Sequence, residues 1–414
     1  MIETVSGIYL FFIGAAALTH FVSVLRALYY LRVKFPRKLR PEFIAKRQAA
    51  DPSEPPVTVF VPCKGRSREL KANILAMLGQ DHPNYSVIYI TESDDDSASD
   101  LLAKTASENR RCHHVVAGLA QRCCQKNHNL LEGIRFARRQ KIAGDVYVFA
   151  DMDIHPDRNW IRNIIIPLSD RRIFAVSGFR SLVPGSSGFA EHLHAAFNSL
   201  QGLAMTENRY AGMWGGSMAV KRKAFELYQV GEKWATAMVD DLSLTAIIKK
   251  HRLKRVYSPD CLVDSKETYT KLSHVLDWLV RQIQYAAVYL RPYTAFGLAL
   301  NTILALGILV TPISLALAGL KWTPWSLAGF QILFLGVVTV SMALLSSFRK
   351  EPAIEFRWLL YAPLFLVLGT YCGWIGFLSR RLVWANVVYC INRSGEVLSI
   401  ERRPPEMRAR AGRL

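Results

Sequence analysis

Charge is missing from four long stretches of this 414-residue chain: residues 4–25, 292–320, 322–348 and 358–379 contain no Asp, Glu, Lys or Arg. Each reaches the roughly 20 residues that an apolar helix needs to cross a bilayer. A transporter places its site among charged or broken membrane helices, so stretches this free of ionisable groups argue against one. No basic region precedes the first stretch, which follows Met1-Ile2-Glu3, whereas Arg26, Arg32, Lys34, Arg37, Lys38 and Arg40 come after it. That order predicts an uncleaved signal anchor rather than a removable leader. The basic flank places the polar middle of the chain in the cytoplasm.

Acidic residues are few, 33 against 52 Lys and Arg, for a net charge of +19. Much of the excess lies beside the apolar stretches and in Arg402, Arg403, Arg408, Arg410 and Arg413. This is the pattern of membrane flanks, and it argues against a nucleic-acid partner. The seven cysteines have no metal-ligand spacing: Cys123 and Cys124 are adjacent, and Cys63, Cys112 and Cys261 stand alone. A cytoplasmic setting also argues against structural disulfides. Neither a solenoid-period repeat nor a long low-complexity segment is present.

The polar middle alternates strand and helix. Pro52, Pro55 and Pro56 break the chain before the apolar run Val57-Thr58-Val59-Phe60-Val61, which ends at Pro62 and turns at Gly65. Further strands are predicted over 87–91, 113–117, 146–150 and 174–178, with helices over 70–78 and 127–139 between the earlier ones. Such alternation predicts an α/β layer with a largely parallel sheet. Ligands bind such sheets just beyond the carboxyl ends of the strands, which directs attention to Lys64, to the acidic run Glu92 to Asp96 and to Asp151.

Phe149-Ala150-Asp151-Met152-Asp153 puts two carboxylates two residues apart at a strand end, on one side while the chain stays extended. Two such hard oxygen ligands suit Mg²⁺ or Mn²⁺ and leave coordination positions for substrate phosphate and water. A D-x-D alone is equally an acidic loop capping the next helix, so it needs context. The run Thr91-Glu92-Ser93-Asp94-Asp95-Asp96-Ser97 reads either as a solvated turn or as a set of acceptors for a ribose or base. Val239-Asp240-Asp241-Leu242 opens a helical pattern, so either Asp is a helix-start residue or a general base for a weakly nucleophilic sugar hydroxyl.

Taken in order, Pro62-Cys63-Lys64-Gly65, Glu92 to Asp96, Lys126-Asn127-His128-Asn129-Leu130, Asp151-Met152-Asp153, Trp214-Gly215-Gly216-Ser217, Asp240-Asp241 and Arg281-Gln282 resemble inverting glycosyltransferases of family 2 and their ceramide glucosyltransferase-like relatives in family 21. The resemblance covers residues 55 to 295. It implies an α/β GT-A (nucleotide-diphospho-sugar transferase) domain with an N-terminal transmembrane anchor and C-terminal transmembrane helices. It further implies donor contacts from Lys64, Asp94, Lys126, Asp151, Arg281 and Gln282, with Glu92 and Asp95 as neighbours of Asp94. The metal would lie on Asp151 and Asp153, most directly on Asp153, and the catalytic base would be Asp241 with Asp240 beside it. Trp214, Gly215 and Gly216 would form an acceptor or donor loop, though a plain tight turn is the other reading of the glycines. Lys126 reads equally as an exposed helix-start lysine.

The family's (Q/R)-x-x-R-W signature reads here Arg281-Gln282-Ile283-Gln284-Tyr285, with Gln and Tyr in place of Arg-Trp. Gln284 brings no cation to a leaving phosphate, which points away from a processive polysaccharide synthase and toward transfer of one sugar. Arg281 is alternatively a helix-face arginine at the membrane surface.

The expected domains are an anchor over 1–34, a cytoplasmic catalytic domain over 35–272, an interfacial amphipathic helix over 273–291, three apolar membrane segments over 292–379 and a basic tail over 380–414. The expected partners are a nucleotide-sugar donor, UDP-linked by resemblance, a lipid acceptor such as ceramide, and the bilayer. The expected location is a bacterial inner membrane. A processive synthase and a non-enzymatic scaffold or transporter are the competing readings. One conflict stands: four full spans starting outside would put the Arg-rich tail outside, against the positive-inside rule. A re-entrant late segment would resolve it, with Pro312 and Pro363 marking the breaks.

Overall fold

The computed structural model describes residues 2–34, 54–206, 212–266, 268–320, 325–384 and 387–402. The chain divides into two compact units: 34–180 with 208–265 and 380–414, and 1–33 with 181–207 and 266–379.

The first unit is built on a sheet of seven strands: β1 (Val57–Pro62), β2 (Tyr85–Thr91), β3 (Cys112–Val116), β4 (Val146–Ala150), β5 (Ile173–Leu182), β6 (Ser217–Lys221) and β7 (Lys254–Ser265), in the order β3-β2-β1-β4-β6-β5-β7. The run β3-β2-β1-β4 is parallel, as the alternating pattern predicts. β6 runs antiparallel to both β4 and β5, so the sheet is mixed. The expectation of a largely parallel sheet therefore holds for only one side. β6 and β7 escaped the sequence pattern because their apolar runs are short or interrupted by charge.

β1 is buried on both faces, which explains its nearly continuous apolar sequence. Val57, Val59 and Val61 pack into one core layer with Leu70, Ile74 and Trp160, and Phe60 packs into the other with Leu130, Tyr147 and Phe149. Thr58 is tolerated because its hydroxyl donates to the Ile142 carbonyl at 2.8 Å. Crossover helices α2 (Leu70–Leu78), α3 (Ser99–Glu108) and α4 (Gln125–Arg139) connect the parallel strands. α5 (Trp160–Ile165), α7 (Arg222–Leu227), α8 (Val230–Trp234) and α9 (Asp240–Lys250) complete the unit. This mixed, partly crossed-over sheet is GT-A-like.

Residues 381–402, read from sequence as part of a basic tail, form an antiparallel sheet of β8 (Arg381–Trp384), β9 (Val387–Ile391) and β10 (Val397–Arg402). It belongs to the same unit as the large sheet. Val397 N donates to the Thr236 carbonyl at 2.8 Å, Met238 N to the Gly395 carbonyl at 3.0 Å, and Arg402 Nη2 to the Ala120 carbonyl at 2.7 Å. The remaining tail arginines, Arg403 onward, lie outside the described residues.

The second unit is helical: α1 (Ile2–Tyr29), continued by a π turn over Tyr30–Lys34, α6 (Phe189–Met205), α10 (Leu272–Tyr289), α11 (Arg291–Gly319), α12 (Trp325–Leu345) and α13 (Arg357–Leu378). Four helices, Gly7–Lys34, α11, α12 and α13, are long and apolar enough to cross a membrane. They coincide with the four charge-free stretches. α10 falls where the interfacial helix is expected.

Candidate functional site

Four loops of the mixed sheet bring the polar residues together. β1 ends at Pro62, and the turn after it reaches Gly65 at φ +77°, a left-handed conformation that suits glycine. Gly65 N donates to both carboxylate oxygens of Asp96 at 3.0 Å, and Asp96 also accepts from Ala98 N at 2.9 Å. Lys64 Nζ lies 2.8 Å from Glu92 Oε1. The acidic run after β2 is thus divided by task. Glu92 and Asp96 tie the first two strand ends together, while Asp94 and Asp95 face solvent. The structural duty of Asp96 is invisible in sequence because its partner is a backbone N–H thirty-one residues away.

After Ala150 the chain does not stay extended: residues 152–153 turn, and Ile154 N points back at the Asp151 carbonyl at 3.5 Å. The expectation that Asp151 and Asp153 share one side of an extended segment is therefore corrected, and each carboxylate meets its own cation. Asp151 Oδ1 is 2.9 Å from Lys126 Nζ. Asp153 Oδ2 pairs with Arg180, whose guanidinium also sits 6.0 Å from the Trp214 ring centre. Sequence reasoning passed over Arg180; a lone arginine inside the apolar run Phe174 to Leu182 was the available signal.

Lys126 joins two segments, for its Nζ is also 3.1 Å from Asp240 Oδ2. Burial opposes its charge, but Asp151, Asp240 and Asp241 more than offset this and hold the ammonium well above its ordinary pKa. Asp151 is likewise opposed by burial, yet Lys126 and then Arg180 keep its carboxyl below the ordinary range. The exposed-lysine reading of Lys126 is excluded by this geometry. Its backbone is braced by the small C-terminal sheet, where the neighbouring Gln125 N donates to the Tyr389 hydroxyl at 3.4 Å.

Asp240 and Asp241 open α9, so both are helix-start residues. Asp240 is almost wholly buried and turned toward Lys126. Asp241 keeps an edge open to water and accepts from Gly215 N at 2.9 Å and from Leu242 N at 2.6 Å. Its surroundings push its pKa up to about 7: burial contributes most, then the charge of Asp240, against the opposing pull of Lys126 and the two N–H groups. A carboxylate poised there accepts a proton near neutral pH.

The glycines of Trp214-Gly215-Gly216 are explained by close approach rather than by backbone angle. A Cβ on Gly215 would fall 2.4 Å from Asp240 Oδ2 and 2.8 Å from Lys126 Nζ. One on Gly216 would fall 2.2 Å from the Trp214 ring and 2.7 Å from Asp151 Oδ2. Gly216 also accepts from Asp151 N at 3.2 Å, locking the two loops together. Gly216→Ala is expected to lower stability by about 1–3 kcal/mol, the usual cost of overpacking. Thermal unfolding checks this, and an unchanged midpoint would show that the Trp214 ring moves aside freely.

Lys64, Asp94, Lys126, Asp151, Asp153, Trp214, Gly215, Gly216, Asp240 and Asp241 thus all lie in one unit. Arg281 and Gln282 are on α10 in the other.

A family profile described as glycosyl transferase family 21 matches residues 16–397, nearly the whole chain. The chain belongs to glycosyl transferase family 21. As a family 21 protein it is a glycosyltransferase, in agreement with the resemblance drawn from its motifs. Among solved structures, a mannosyltransferase from Pyrobaculum calidifontis in complex with GDP-Man and Mn²⁺ matches at 18% identity over 88% of this chain and 99% of that one, with a TM-score of 0.46. Glucosyl-3-phosphoglycerate synthase from Mycobacterium tuberculosis, in complex with Mn²⁺, UDP and phosphoglyceric acid, matches at 14% identity over 59% of this chain and 81% of that one, with a TM-score of 0.37. GalNAc-T7 with UDP, GalNAc and Mn²⁺ matches at 12% identity, covering 59% of this chain and 50% of that one, with a TM-score of 0.39. No curated protein matches the sequence significantly.

Proposed function

We propose that this family 21 glycosyltransferase moves one sugar from a nucleotide-diphosphate donor, UDP-linked by resemblance, to the hydroxyl of a membrane lipid, with inversion at the anomeric carbon. The observation that carries the proposal is Asp241, held by Gly215 N at the start of α9 with its pKa pushed up to about 7. Such a carboxylate takes the acceptor proton as the oxygen attacks. A hydroxyl deprotonated in this way displaces the nucleoside diphosphate directly from the anomeric carbon, in one step and hence with inversion. The lipid acceptor is supported by the chain itself, in which the sheet unit is flanked in sequence by helices apolar enough to cross a bilayer.

The residues present fit a divalent cation. Asp153 Oδ1 is buried and accepts no hydrogen bond from the described residues, so it has a lone pair to offer. Gly216 leaves open the space beside Asp151 Oδ2 that a side chain would fill. No group of three or more His, Cys, Asp or Glu placed to hold a metal ion together occurs among the described residues. Two carboxylates with substrate phosphate and water completing the shell is the arrangement that hard cations such as Mg²⁺ tolerate. When bound, the ion would supply positive charge against the departing diphosphate. Asp151 and Asp153 would hold it. Lys126 would keep Asp151 ionised and oriented, and Arg180 would have to share or release Asp153.

A panel of nucleotide sugars, each with and without Mn²⁺, tests the proposal through thermal stabilisation. A donor at 100 times its Kd stabilises by about 2.7 kcal/mol. The expected result is stabilisation by one donor that requires Mn²⁺ and is lost in Asp153→Asn. Equal stabilisation in Asp153→Asn removes the metal role from the pair, and no response to any donor removes the proposal.

A further inference from the structure

We infer that α13, although long and apolar enough to span a bilayer, returns to the side from which it starts. The inference goes beyond the proposed reaction and rests only on α1, α11 and α12 being membrane helices.

The packing inside the helical unit sets the direction of each helix. Near the start of α1, the Tyr9 hydroxyl accepts from Gln331 Nε2 at 2.8 Å, and Gln331 Oε1 accepts from Thr311 at 3.1 Å. Gln331 is in the second turn of α12 and Thr311 is toward the end of α11. The start of α1, the end of α11 and the start of α12 therefore share one level. At the opposite level, Arg32 Nη2 donates to the carbonyls of Ser347 at 3.0 Å and Arg349 at 2.8 Å, just past the end of α12. The start of α11, at Arg291, belongs to that second level because the helix runs the other way.

Both ends of α13 meet this second level. Before its first turn, Glu355 N donates to Ser346 Oγ at 2.7 Å, and Arg349 lies 3.8 Å from Glu355. At its last turn, the Arg291 guanidinium sits 4.6 Å from the centre of the Phe377 ring. A Cβ on Gly376 would fall 2.6 Å from the Val280 carbonyl of α10, so that end packs tightly on the helix preceding α11. Between the ends, Asn301 Nδ2 donates to the Leu366 carbonyl at 3.3 Å and to Thr370 at 2.9 Å, so the middle of α13 crosses α11. A helix of 22 residues is about 33 Å long. It is also the least apolar of the four.

Connectivity gives the same answer independently. Residues 34–180 and 380–414 belong to one compact unit, so the chain leaves that unit before α11 and re-enters it after α13. A folded unit lies on one side of a bilayer, so the number of crossings between must be even. α11 and α12 supply two. This removes the conflict over the Arg-rich tail, which then shares the basic side of α1. Leu360, Leu364, Tyr371, Ile375 and Leu378 form an exposed apolar stripe on one face of α13, and its occupant is the acyl boundary of that leaflet.

Thiol labelling tests the inference, because Cys390 on β9 is exposed and the other cysteines are buried. Proteins with one exposed cysteine carry Cys390, or Ala353→Cys or Leu320→Cys in a Cys390→Ser background. Each is treated with a membrane-impermeant maleimide in sealed cells and in inverted vesicles. Cys390 and Ala353→Cys are expected to label from the same side, and Leu320→Cys from the other. Cys390 and Ala353→Cys labelling from opposite sides would make α13 a full span and overturn the inference, leaving the proposed reaction untouched. Extraction of the protein by alkaline carbonate would instead remove the membrane premise. For the stripe, a fluorophore on Leu360→Cys is expected to be quenched by brominated acyl chains in phosphatidylethanolamine–phosphatidylglycerol vesicles; absence of quenching means that protein covers it and defeats the lipid assignment.

Discussion

Asp241→Asn is expected to lower kcat by about 10²- to 10⁴-fold, the usual contribution of a positioned general base. Asparagine keeps the size and can still accept from Gly215 N, so donor-induced thermal stabilisation should persist. Loss of turnover with donor binding retained separates the base from the diphosphate site. Retained turnover in a purified assay would remove Asp241 from the role. In the unaltered enzyme, kcat/KM should rise with pH through a limb near 7, where Asp241 loses its proton. Asp240→Asn removes the second largest cause of that elevation, so its limb should move to lower pH; an unmoved limb would assign the ionisation to another group.

The same group has a signed effect on stability. Folded Asp241 holds its proton up to about pH 7, whereas an unfolded aspartate releases it near 4. Between those values the folded state binds more protons, so this contribution is complete below about 4 and is lost as pH rises through about 7. Asp151, held below its ordinary value, acts in the opposite sense: it stabilises above the ordinary range and loses that contribution as pH falls. A base of the proposed kind, working only when deprotonated, would therefore be kept at some cost to stability.

Lys126→Met should produce the largest loss of stability, about 3 kcal/mol, as expected when one partner of a buried ion pair is removed. Lys126 lies between Asp151 at 2.9 Å and Asp240 at 3.1 Å, and the Asp240 side chain is only 3% exposed. Without the ammonium, Asp240 retains a buried charge with no cation beside it. Adding Asp240→Asn to Lys126→Met should recover part of the loss, because it removes the stranded charge. Denaturant unfolding of the two singles and the double closes the cycle. Additive losses would mean that the two residues are not coupled.

Family membership fits the sequence reading because the motifs sit where strand chemistry puts them. Val57 to Val61 and Val146 to Ala150 are buried on both faces, and that demand wrote nearly continuous apolar runs ending in Lys64 and Asp151. The helix over Leu70 to Leu78 was legible to the residue. Gly215 and Gly216 were legible as special, but not for the right reason. Neither has a left-handed backbone among the positive-φ glycines, and what excludes a side chain is Asp240, Lys126, Trp214 and Asp151 arriving from elsewhere. Arg180 was missed because an arginine in a strand has many possible partners, and only folding selects Asp153.

By itself the sequence determined the four apolar helices, the parallel half of the sheet and the identity of the acidic residues at its strand ends. These follow from local rules: charge cannot enter hydrocarbon cheaply, and a doubly buried strand must be apolar. Tertiary structure alone decided that β6 runs antiparallel, that Lys126 serves two carboxylates from distant segments, and that residues 381–402 fold back as a sheet onto the unit carrying the site. Strand direction and ion-pair partners depend on where the chain returns in space. Composition and spacing do not encode that return.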